Sequence, residues 1–145
     1  MVLFESGVIF IGGKIFSNII NDTSNKVVNI LETAIIHNHT DVHKLFTELD
    51  LDVRLDVINS LIKNIKKENS NETVEICLKS LYDAITKINK NTHEIDNIIK
   101  QHKEKYFNEW RQIDVESQIC EIRKQSTLLD KRFSLLTNIV KFYIV

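Results

Sequence analysis

Proline is absent from these 145 residues and glycine occurs only three times, where average usage would supply about seven prolines and ten glycines. With helix breakers this scarce, the sequence predicts an all-α protein joined by short polar connections. Cysteine is scarce too. Cys77 and Cys120 fall on predicted helices beside apolar positions, which reads as two buried thiols in a reducing compartment rather than a disulfide. No run approaches the roughly 18–20 apolar residues that cross a bilayer. The opening Met1-Val-Leu-Phe-Glu5 shows no basic leader and no small-residue cleavage site, so a signal peptide is not expected. Glycosylation-type triplets at Asn21, Asn38 and Asn71 then carry no meaning. The expectation is an intracellular, cytoplasmic chain, with membrane association as the alternative.

A basic stripe is missing as well. The 19 basic and 20 acidic side chains are interspersed, the net charge is −1, and the segment from His93 onward holds nine basic and eight acidic residues. General nucleic-acid binding needs a concentrated positive face, so no nucleic-acid partner is expected. Charge is uneven in a different way. Residues 1–40 carry five charged side chains and the remaining 105 carry 34. The N-terminal part is therefore buried, partner-covered or membrane-facing. Isoleucine occurs 22 times, asparagine 14 times, and lysine outnumbers arginine 15 to 4. That bias suggests an AT-rich genome, such as a large virus or a protist, and says nothing about function.

What the chain does have is helical spacing, most clearly from Val115 to Tyr143. Val115, Ile119, Ile122, Leu129, Phe133, Leu136, Val140 and Tyr143 fall at steps of four and three, with Ser126 as the interruption. Such a series draws one apolar stripe down a helix of about eight turns. A lone helix cannot bury that stripe in water, so a partner face must come from this chain or from another copy. The stripe outlasts the shorter helices predicted elsewhere. Ile119, Ile122, Leu129, Phe133, Leu136 and Val140 are therefore the candidate contacts of a homo-oligomer.

Upstream, Val8 to Phe16 surrounds Gly12-Gly13 and reads as the start of a hydrophobic helix reaching Ile20, with a β-hairpin as the weaker alternative. Val8, Phe10, Ile11 and Phe16 are the candidate contacts for a membrane or a partner. A helix over Ser24–Ile36 follows. After a polar break at His37–Thr40, Thr40 is expected to cap a short helix over Asp41–Leu49. Glu48 to Val57 alternates charged and apolar residues like a strand, but Leu51, Leu55, Ile58, Ile62 and Ile65 step by four and three. The longer pattern predicts a helix from Leu51 to about Lys66, capped by Asp50. A polar loop over Lys67–Asn71 leads to a helix carrying Val74, Leu78, Leu81, Ile85 and Ile88. Asn89-Lys-Asn91 should close it, with Asn91 and Glu94 forming a capping box for the next helix. That helix would turn Ile95, Ile99, His102, Tyr106 and Trp110 inward. Its register does not continue into the Val115 stripe, which predicts a break near Arg111–Asp114 with Asp114 as the next cap.

Catalytic patterns fail one after another. Gly7 to Lys14 resembles a phosphate loop, but Gly13 follows Gly12 where lysine is required and Ile15 follows Lys14 where Ser or Thr is required, and His93-Glu94 meets Asn97 where a zinc protease needs its second histidine. No serine or cysteine sits in the Gly-flanked turn of a hydrolase nucleophile. His37, His39 and His43 with Asp41 form the one metal-like cluster, more simply read as a solvated junction. His102 reads as a core histidine, and Trp110, near Tyr106 and Phe107, as a core anchor ahead of a binding hot spot.

These readings converge on a single helical domain over 1–145. It is an all-α bundle of about five to six helices, with a hydrophobic segment over 1–20 and a long C-terminal amphipathic helix over 115–145. The expected role is a non-enzymatic interaction protein, an adaptor or homo-oligomer, without cofactor. A membrane-perturbing or membrane-attached bundle is the alternative.

Overall fold

The computed structural model describes residues 7–36, 39–65, 71–105 and 113–144, with side chains over 15–34, 39–65, 71–102 and 113–142. The fold is nearly all helix, and no strand occurs among the described residues. In chain order the helices are α1 (Gly7–Ile36), α2 (Thr40–Leu49), α3 (Leu51–Asn64), α4 (Glu72–Lys105) and α5 (Glu116–Ile144). Asp50 alone separates α2 from α3, so the two behave as one bent rod. Among the described residues the bundle has four rods, slightly fewer than the expected five to six helices. The reason is local: two sites expected to break helices do not.

The first lies at Asn21–Thr23, inside α1. Thr23 Oγ1 donates back to the Ile19 carbonyl at 2.7 Å, and Asn89 Nδ2 donates to Thr23 Oγ1 at 2.8 Å and to Asp22 Oδ2 at 2.9 Å. The second lies at Asn89–Thr92, inside α4. There Asn91 Nδ2 donates to the Lys87 carbonyl and buried Thr92 Oγ1 to the Ile88 carbonyl. Asparagine and threonine end helices when their side chains compete for nearby backbone groups. Here those side chains bond one turn back or across to the neighbouring rod, and the helices run on. The capping box expected at Asn91 is therefore not formed.

Real ends are made elsewhere. Asn71 Oδ1 accepts the Val74 N–H at 2.9 Å and starts α4. Thr40 is the first residue of α2 rather than its cap, and His39 takes the cap position without a side-chain bond. Asp50 adopts a left-handed backbone (φ 50°, ψ 43°) and donates its N–H to the Phe46 carbonyl; its side chain does not cap α3. Aspartate tolerates that region better than most residues. Ile65 is already extended, so α3 stops at Asn64, short of Lys66. Residues 113–115 lie outside any helix, and the Val115 carbonyl accepts the first bond of α5, from the Ile119 N–H. The α4 and α5 stripes are thus two helices, with Val115 rather than Asp114 at the junction.

Pairs of contacts fix the directions of the rods. Arg132 meets Ser80 and Gln118 meets Glu94, so α4 and α5 form an antiparallel hairpin. Phe16 meets Tyr82 and Asp22 meets Asn89, so α1 runs parallel to α4. Arg54 binds Asp130 at 2.8 Å and Arg123 binds Glu48 at 3.3 Å, so the α2–α3 rod runs parallel to α5. The first hairpin (α1 with α2–α3) lies flat against the second (α4 with α5), like on like. Between them sits one core, with Ile20, Ile30, Leu45, Phe46, Leu55, Leu81, Ile85, Ile88, Ile95, Ile122 and Leu129 among its fully buried side chains. Phe16 packs edge-on to Tyr82, with ring centroids 5.2 Å apart.

Candidate interaction surface

The stripe that dominates the sequence faces inward. Val115, Ile122, Leu129 and Leu136 are buried, and Ile119, Phe133 and Val140 are partly buried against the same core. The face that covers them is α4. It became long enough because it did not break at Asn89–Asn91; at 1.5 Å per residue its 34 residues span about 51 Å, more than the 29 of α5. The reason for assigning the stripe to a second copy therefore does not hold, although association through another face stays open. Tyr143 has its side chain outside the described residues. The interruption in the stripe, Ser126, is buried, and its Oγ finds no protein partner.

Another apolar row on α5 lies off the inner stripe; its Leu128 is half-buried and its Ile139 still packs partly against the core, while Leu135 and Phe142 are exposed. Leu128, Leu135, Ile139 and Phe142 recur at steps of seven, four and three; Leu135 is 53% exposed and Phe142 81%. Arg132, on the same side of α5, donates to the Ser80 carbonyl at 2.7 Å and lies 3.8 Å from Asp83. Ile76 stands one turn before Ser80 on α4 and is 62% exposed. Ile76 and Leu135 thus flank the outward groove between α4 and α5, just beyond the Arg132 bridge. Sequence reading passed this row by, though its spacing was present; the stronger inner stripe masked it.

Further along the two helices lies a polar cavity of about 340 Å³ lined by Lys87, Lys90, Asn91, Glu94, Ser117 and Glu121. A larger cavity of about 720 Å³ lies where α2 meets the start of α5, among Asp41, Lys44, Asp114, Glu116, Arg123 and three apolar side chains. Its two cations are both drawn toward Glu48, Arg123 at 3.3 Å and Lys44 at 3.9 Å.

Of the metal-like cluster, His37 lies outside the described residues. His39 is buried edge-on to His102, with centroids 5.6 Å apart, which places His102 in the core as expected. Among the described residues no group of three or more potential ligands could hold a metal ion. Cys77 is buried, and burial pushes its thiol pKa up; Cys120 is exposed, against expectation, because it lies off the inner stripe of α5. Tyr106, Phe107, Trp110 and Arg111 fall outside the described residues.

At the N-terminus, residues 7–16 are helical rather than a hairpin, and Phe16 and Ile20 are core residues. The side chains of Val8, Phe10 and Ile11 lie outside the description. Among the described residues no helix is long and apolar enough to cross a membrane.

One charged contact links this helix to α4. Asp22 accepts from Lys26 and from Asn89, which hold its carboxyl below the ordinary value of 3.8. A depressed folded pKa gives stability that is full above the ordinary value and lost as pH falls through the folded one. Wild type should therefore lose more stability than Asp22→Asn between about pH 5 and about pH 2. Equal losses in urea midpoints of the two proteins would show the pairing to be energetically silent.

Comparison with known proteins adds a distant viral relative. No known family profile matches this chain, and no solved structure does. It is similar to "Uncharacterized protein L717" of Acanthamoeba polyphaga mimivirus, 28% identical over 122 residues. The match takes in 83% of this chain but 59% of that protein, so the chain spans about three fifths of its relative's length. The relative comes from a large virus, one of the sources suggested by the composition.

Proposed function

We propose that this chain is a non-enzymatic helical interaction module, acting inside cells, whose contact surface is the outward α4–α5 groove. The supporting observation is the exposed apolar set of Ile76, Leu135 and Phe142, gathered on one side of a hairpin whose inner stripe is already covered. Scattered single apolar residues are normal on a surface, but contiguous ones rimmed by charge mark contact sites. Across the bundle, exposed Val53 and Val57 offer less apolar surface and sit between Asp52, Arg54 and Asp56.

A photo-crosslinking residue placed at position 135, compared with one at exposed position 56, tests the reading in producing cells. Protein adducts that form from position 135 and not from position 56 are expected. No adduct from position 135, or equal adducts from both, overturns the proposal.

A further inference from the structure

We draw no further inference here: the strongest candidate, the exposed apolar patch of Ile76, Leu135 and Phe142 on the outward side of the α4–α5 hairpin, belongs to the surface already described, and nothing in the structure shows what covers it.

Discussion

Leu129→Ala should cost about 2–5 kcal/mol, a large share of the roughly 5–15 kcal/mol that holds a small domain together. Leu129 is fully buried in the seam between α4 and α5, and Leu136, two turns on, is equally enclosed. Removing the branched side chain from either leaves a cavity that two long, mutually braced helices close only in part. Phe133 is larger but half-buried, so Phe133→Ala should cost less than the 3–5 kcal/mol typical of a fully enclosed ring. Lys131→Ala, exposed on the outer side, should shift stability by under ~0.5 kcal/mol. Urea midpoints of Leu129→Ala and Lys131→Ala beside wild type read the comparison. A Leu129→Ala midpoint equal to that of Lys131→Ala would mean that the seam does not hold the fold.

That seam was the most legible part of the sequence, because spacing of four and three over many turns has few readings other than a buried helical face. Which surface covered it was not legible. The answer depended on whether α4 stopped at Asn89-Lys-Asn91, and local propensity favoured stopping. What kept the helix going is a contact 66 residues away in sequence, Asn89 to Thr23, which no local window contains. The same contact carried α1 through Asn21–Thr23. Two misread breaks thus share one cause, a polar bridge between parallel helices. It satisfies in tertiary structure the side chains that would otherwise cap. The missed interaction surface has a different origin. Leu128, Leu135, Ile139 and Phe142 have helical spacing, but the apolar residues of α5 divide between two faces, and only the fold says which face is left over.

Phe16→Asp should unfold the bundle at neutral pH or lower its melting temperature drastically, and this bears on the N-terminal segment as a whole. Phe16 is 3% exposed, packs edge-on to Tyr82, and is followed one turn later by fully buried Ile20. A carboxylate placed there has no cationic partner on the facing side of α4, where Leu78, Leu81 and Ile85 are buried beside Tyr82. Burying an uncompensated charge costs several kcal/mol even when the group responds by taking up a proton. The loss is comparable to the whole stability of the domain. Circular dichroism melts of Phe16→Asp beside wild type read the result directly, and an unchanged midpoint would mean that α1 is not anchored at this point. Phe10→Asp, two turns earlier, separates the two roles available to this helix. A fold that survives Phe10→Asp while leakage of dye from liposomes, present in wild type, disappears would assign residues 7–14 to a membrane. A fold that fails would place Phe10 with Phe16 in the core. A fold that survives in a protein that never caused leakage would leave the charge-poor N-terminus as a support for the bundle, and the outward groove of the second hairpin as the surface that acts.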